Sequence, residues 1–406
     1  MRPARFPPES RMSASLLDFL AGGLLQASWG ELLVWLLVVT QLTIFSVTLY
    51  LHRSQAHRAV DFHPVLAHFF RFWTWLTTSM ITREWAAIHR KHHAKCETEE
   101  DPHSPQFKGI DTVMWRGVEL YREARGQRED IEKYGKGCPE DWIERHLYTP
   151  HATMGPVLML AISFALFGFM GVAAWAIQMV WIPFWAAGVV NGLGHWWGYR
   201  NFETTDTATN LTPWGFWIGG EELHNNHHAF PSSAKFALRK WEFDIGWSAI
   251  KLLEKVRLAK VLRVAPTLDV RPNIAMPDGE TLKALLAIRF QAMTDYYRSV
   301  TLPALREAKF KLPRKMRHGL ADGGRWLDDD KRAKLQAWLA ERPKMATLAD
   351  FRQRLAHVLD DRSHDAQATL SKLHAWCTEA EASGIQALQA FSARLKGYAL
   401  APARAA

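Results

Sequence analysis

Three stretches of this chain stay apolar for about twenty residues at a time, which is the length a helix needs to cross the ~30 Å hydrocarbon core of a bilayer. They cover residues 31–51, about 154–177, and 178–197, and the last two lie close enough to form a helical hairpin. A fourth, 16–29, is apolar but short and contains Asp18, so it reads as a short span or as a re-entrant or interfacial helix. Backbone in lipid must satisfy its hydrogen bonds internally, and this restricts such segments to helices. The expected fold is an all-α integral-membrane bundle of three to four spans. Tryptophan follows the same division: 16 of the 19 precede residue 248, and Trp is favoured where bilayer meets water.

The apolar segments are punctuated by histidines. His52 and His57 close the first long span as His-x-x-x-x-His, His89, His92 and His93 form His-x-x-His-His, and His224, His227 and His228 repeat that pattern. Asn191 and His195 stand four residues apart at the inner end of the last span. Spacings of three and four place side chains on one helical face, so His89 with His92 or His93, and His224 with His227 or His228, can each converge on a metal. Neutral imidazole suits iron, zinc and copper. A histidine elsewhere in the chain reads as an ordinary surface or core residue, and His103, in Asp101-Pro102-His103, is left out of the ligand set. Ligand histidines need an acceptor on the other ring nitrogen, and Glu84, Asp101, Glu221 and Glu222 are candidates for it.

The histidines also constrain topology. Residues 62–80 are apolar enough to suggest a span, yet carry His63, His68 and Arg71. A crossing there would put His52 and His57 on the opposite side of the bilayer from His89–His93, and no metal could be shared. The segment is therefore expected to lie as an amphipathic helix at the membrane surface. Arg53, Arg58, Arg90 and Lys91 put the histidine layer on the cytoplasmic side by the positive-inside rule. The same basic residues are candidates to meet an anionic headgroup. The net charge of +9 is spread along the chain, which fits an anionic leaflet and not nucleic acid. Cys96, Cys138 and Cys377 are too dispersed for a disulfide framework or an iron–sulfur site.

With these residues in place, the sequence resembles the membrane fatty acyl desaturases of the stearoyl-CoA Δ9 type, as a bacterial member. The three boxes occur in that family's order, and the flanking strings match: Glu84-Trp85 before box two, Asp101-Pro102-His103-Ser104 after it, Asn191-Gly-Leu-Gly-His195, Gly220-Glu221, and Ala229-Phe230-Pro231. The resemblance covers about residues 30–265. It implies a cytoplasmic helical cap carrying a di-iron site, with His52, His57, His89, His92, His93, His195, His224, His227 and His228 as ligands and Asn191 reaching one iron through a water. It further implies O₂ as co-substrate and a cis double bond, at the Δ9 position, in a saturated acyl-CoA or another acyl lipid. The expected location is the bacterial inner membrane, among membrane lipid.

The chain contains no Gly-rich dinucleotide fingerprint, iron–sulfur cysteine set or His-Pro-Gly-Gly haem signature. Electrons are expected from a separate ferredoxin- or rubredoxin-like carrier with its NAD(P)H reductase. The domain reading is an N-terminal segment 1–30, a catalytic domain 31–265 and a charged helical extension 266–406. In the extension, 280–310 reads as one helix and others fall near 328–340, 349–359 and 366–395. Two other functions share parts of the pattern: a histidine-box hydroxylase or alkane monooxygenase, and a histidine-rich metal transporter.

Overall fold

Trp29 to Ala56 forms one helical run of 28 residues. Ser28 and Glu31 start it with a reciprocal capping box, the Ser28 hydroxyl accepting from the Glu31 N–H and the Glu31 carboxylate accepting from the Ser28 N–H, which satisfies two N–H groups that an uncapped helix leaves open. The first part, Trp29–Phe45, is α-helical (α2). From Ser46 to Ala56 the hydrogen bonds shift to i→i+5, a π-helical stretch, and the His57 N–H donates to the His52 carbonyl at 3.1 Å. A spacing of five places two side chains on one face only in such a turn, and π-turns are rare and concentrated at functional sites. The structure is a computed structural model that describes residues 8–310, 312–361 and 365–401; the basic residues 1–7 lie outside these.

A helix α1 (Pro8–Gly22) precedes α2. The expected apolar segment 16–29 is thus the end of α1 and a turn. The second long apolar run is Met154–Ile182 (a later helix, α6), and it continues through a π-helical stretch, Pro183–Val190. It doubles back on itself. Gly168 has φ 61°, and the Trp175 indole N–H donates to the Pro156 carbonyl at 3.0 Å. Residues 19 apart would be about 28 Å apart along a straight helix. The chain does reverse in this region, but at Gly168, inside the segment expected as one span over 154–177, while the helix runs on through 177 without a turn. The sequence is apolar on both sides of Gly168, so hydropathy alone could not locate the reversal. The α1–α2 turn meets this tip: Leu24 and Leu25 N–H groups donate to the Ala165 and Leu166 carbonyls at 2.9 and 3.0 Å. Trp29–Ala56 and Met154–His195 are the runs long and apolar enough to cross a membrane among the described residues.

Residues 62–80 form the short strand β1 (Val60–Phe62) and then α3 (Pro64–Thr78). The helix buries Phe70, Arg71, Thr74 and Trp75 on one side, and the buried Arg71 guanidinium pairs with Asp141 at 2.7 Å. Ser79, in left-handed conformation, ends it, and α4 (Thr82–Lys95) carries box two. Short helices follow, among them α5 (Gly117–Arg125), and α7 (His224–Ala229) holds box three. Two-stranded pairings tie this region together: β1 with Ala259–Val261, and Trp214–Gly215 with Phe243–Asp244.

The chain divides into two compact units, Met1–Tyr199 with Ala208–Val264, and Arg200–Thr207 with Ala265–Ala406. The second is helical, with its core around Tyr296, Trp376 and Phe391, whose rings meet edge-on. The single helix expected over 280–310 is instead broken at Ile288 (φ −120°) into Gly279–Ala287 and Arg289–Tyr296. The helix expected over 366–395 stops at Ala382 and resumes at Gln386, because Gly384 takes φ 71° between them.

A Cβ on Gly168 would sit 2.3 Å from the Leu20 carbonyl oxygen. Gly168→Ala is therefore expected to destabilise the protein by about 2 kcal/mol or more, read as a lower melting temperature in detergent. Gly30→Ala, where a Cβ meets nothing closer than 3.9 Å, should leave it unchanged or raised.

Candidate metal centre

Box one arrives on the π-helical stretch, box two on α4 and box three on α7. Arg53, between the two histidines of box one, is fully buried, pairs with Asp244 at 3.0 Å and stacks 3.9 Å from the Phe236 ring centre. This fixes the π-helical stretch against the segment that follows box three. His195 does not sit on a regular helix with Asn191: the run ends at Val190, and His195 lies on the 3₁₀ turn Leu193–His195. The one-face argument for that pair therefore fails, although His195 still reaches the cluster.

All nine histidines converge, in two groups. His52, His57, His89, His93 and His227 form one, and His92, His195, His224 and His228 the other, with candidate ligand atoms within 4.8 Å of one another in each. In the first group the Nε2 atoms of His57 and His89 are 2.8 Å apart, those of His93 and His227 2.9 Å, and those of His52 and His227 3.0 Å. In the second, the Nε2 atoms of His195 and His224 are 2.9 Å apart. Nitrogens gathered this closely form two donor sets, each of which could hold one metal ion. Burial first, and neighbouring imidazoles second, push His57, His89, His93, His224, His227 and His228 well below the ordinary histidine value. These rings are neutral, which is the form that binds metal.

Three rings are oriented by carboxylates. His52 Nδ1–H donates to Glu221 at 2.8 Å, His92 Nδ1–H to Asp101 at 3.0 Å and His195 Nδ1–H to Glu97 at 3.0 Å. This fixes the tautomer and leaves Nε2 free to bind metal. Of the four acceptors expected from sequence, Asp101 and Glu221 take the role. Glu84 pairs with Arg125 instead, and Glu222 accepts from the backbone N–H groups of Trp217, Ile218 and Gly220. Glu97 was missed, since nothing in sequence links it to a histidine 98 positions away. Burial raises the Asp101 carboxyl, but His92 and the His103 backbone outweigh it and hold it well below the usual carboxylate range.

An apolar cavity of about 410 Å³ reaches the histidines. Val47, Met80, Ile88, Leu120, Ile182 and Ala186 line it, and His52, His89, His224, Glu221 and Asn191 face it. Asn191 is half-buried and belongs to neither histidine group. His103, left out on sequence, is buried, stacks on His92 at 4.2 Å and also faces the cavity. Arg122 and Arg125 border both the cavity and an open depression shared with Arg83 and Arg128. The basic residues singled out from sequence lie elsewhere: Arg90 donates to the Gln55, Ala56, Tyr134 and Lys136 carbonyls, Lys91 pairs with Asp130, and Arg58 donates to the Gly137 carbonyl.

The family model for fatty acid desaturases matches residues 27–245, a segment that holds every one of these histidines. The chain belongs to the fatty acid desaturase family. It is 30% identical over 252 residues to Delta-9 acyl-lipid desaturase 1 of Arabidopsis thaliana, covering 61% of this chain and 80% of that one. It is 28% identical over 244 residues to the sn-1 stearoyl-lipid 9-desaturase of Anabaena variabilis, covering 59% and 86%. It is also similar to an acyl-CoA 5-desaturase of Anemone leveillei, 30% over 242 residues, covering 58% and 73%. As a desaturase it is a membrane-associated oxidoreductase of lipid metabolism.

Asp101→Asn keeps the size of the side chain but weakens the hold on His92. It is expected to lower metal affinity about 10–100-fold in a chelator competition, whereas Glu84→Gln should leave affinity unchanged.

Proposed function

We propose that this desaturase introduces a cis double bond, at the Δ9 position, into a saturated acyl chain in an O₂-dependent reaction at a pair of irons. The observation that carries the reading is the apolar cavity walled by residues of both histidine groups. No side-chain acid or base can oxidise an unactivated methylene pair, so a metal must supply the redox chemistry. The donor set fits two irons: nine imidazoles, in groups of five and four, with three Nδ1 positions held by carboxylates. When bound, the iron pair would supply the oxidising power for removing two hydrogens with O₂ as the acceptor. His52, His57, His89, His93 and His227 would hold one iron. His92, His195, His224 and His228 would hold the other, with Asn191 reaching it through a water.

The protein's own part is positional. The cavity lining would hold a bent acyl chain beside Ile88 and Ala186, exclude water and fix which carbons face the histidines. Relatives are named both as acyl-lipid and as acyl-CoA desaturases; acyl-CoA is our reading for the carrier. Arg122 and Arg125, bordering both the cavity and the open depression, would meet its phosphates. Two electrons would come from a ferredoxin- or rubredoxin-like protein with its NAD(P)H reductase. We assign residues 31–265 to catalysis and 266–406 to a supporting helical extension. Three to four spans would place the enzyme in a bacterial inner membrane, with the histidine layer on the cytoplasmic side.

Lipids of a host expressing the protein, analysed by gas chromatography–mass spectrometry, should contain new monounsaturated chains; hydroxylated chains in their place would contradict the reading. His92→Ala and His228→Ala should each abolish the product while membrane insertion persists. Ala186→Phe narrows the cavity without touching a histidine, so it should cut turnover of long chains about tenfold or more at unchanged iron content.

A further inference from the structure

Seven large aromatic side chains outside the apolar helices stand exposed together, Trp196 among them. Trp197, Trp214 and Trp217 are 62%, 64% and 63% exposed, and Phe216, Trp241 and Phe243 share the surface. They come from three separate segments that the fold joins. Trp214 pairs with Phe243 across the short parallel strands, the Phe216 and Trp217 rings are 5.9 Å apart, and Trp241 packs on Tyr199 at 5.3 Å, two residues from Trp197. An apolar patch of this kind on a stable surface calls for a partner.

Its height along α2 identifies that partner. Gly219 follows the patch directly, and a Cβ there would meet Thr48 at 2.6 Å and Ile44 at 3.2 Å; the Thr48 hydroxyl also donates to the Gly219 carbonyl. Ile44 and Thr48 lie 15 and 19 residues beyond the exposed Trp29, which is about 22 to 28 Å along the helix. The hydrocarbon core is ~30 Å thick. The patch therefore stands at the level where the far boundary falls if Trp29 marks the near one. Its chemistry suits that level. Residues 211–217 carry no charge. Glu242, the acidic residue between Trp241 and Phe243, turns inward to accept from Asn226, Leu238 and Arg239. The exposed Lys240 borders the patch.

We propose that segments 196–197, 214–217 and 241–243 form an aromatic shelf seated in the headgroup region of the bilayer, holding the catalytic layer against the membrane surface. This rests on the membrane reading of α2 but not on the reaction. The test is spin labelling of Trp217→Cys and Trp241→Cys in phosphatidylcholine–phosphatidylglycerol vesicles, with the labelled native chain subtracted as thiol background. Leu37→Cys on α2 serves as the lipid reference and Gln336→Cys as the water reference. Collision of a nickel chelate with the shelf labels should be about fivefold or more below that at Gln336, with oxygen access raised, as for interfacial Trp positions. Shelf labels as accessible as Gln336, beside a lipid-exposed Leu37, overturn the proposal alone. A watery Leu37 overturns the membrane reading with it. Shielding that appears only when a ferredoxin is added would mark a protein-docking face and also overturn it.

Discussion

Nine imidazoles can occupy one layer only if they are turned so that their ring nitrogens meet at common centres. Burial keeps six of them neutral, because a charged ring there has nowhere to be solvated. Orientation comes from the carboxylates on Nδ1, and these in turn are fixed by the backbone around them. Asp101 accepts from the Glu97 and His103 N–H groups as well as from His92, and the Glu97 carboxylate holds both His195 and Ser104. The nine-residue loop after α4 thus orients one ligand from box two and one from a segment a hundred residues away. The rest of the catalytic unit is arranged to bring its elements to this loop and to the π-helical stretch.

The histidines were legible in the sequence because their chemistry is carried by residue type and spacing, and neither depends on the path of the chain. The amphipathic character of α3 was legible for a different reason: His63, His68 and Arg71 interrupt an otherwise apolar segment. The orienting groups were only partly legible. Asp101 lies nine residues from His92 and Glu221 three from box three, and proximity favoured them; the same proximity wrongly favoured Glu84 and Glu222. Glu97 is also near box two, but its partner is His195, and only the fold joins them. Glycine turns inside apolar sequence were least legible. Gly168 reverses the chain between residues that are equally lipophilic, so composition carries no mark of it.

Basic residues show how a local rule can mislead. Arg53 and Arg90 sit among the histidines in sequence and look like surface charges. In the fold each is spent on structure, Arg53 on Asp244 and Phe236, Arg90 on four carbonyls that close the ends of neighbouring turns. Arg122 and Arg125, in a charged stretch that gave no signal, are the ones that border the apolar cavity. A guanidinium has five donors in a rigid fork, and it ties loops together as readily as it binds an anion.

The helix from Trp29 to Ala56 is a mechanical rod. It runs without a break from the apolar end of the molecule to two of the five histidines of one group, while the other three ride on α4 and α7. A change in bilayer thickness is met by helix tilt, at a fraction of a kcal/mol per Å. Tilting this rod moves His52 and His57 relative to their three companions. If the rod spans a bilayer, lipid composition, which a desaturase alters by its own reaction, would reach the histidine layer through the tilt of this one helix.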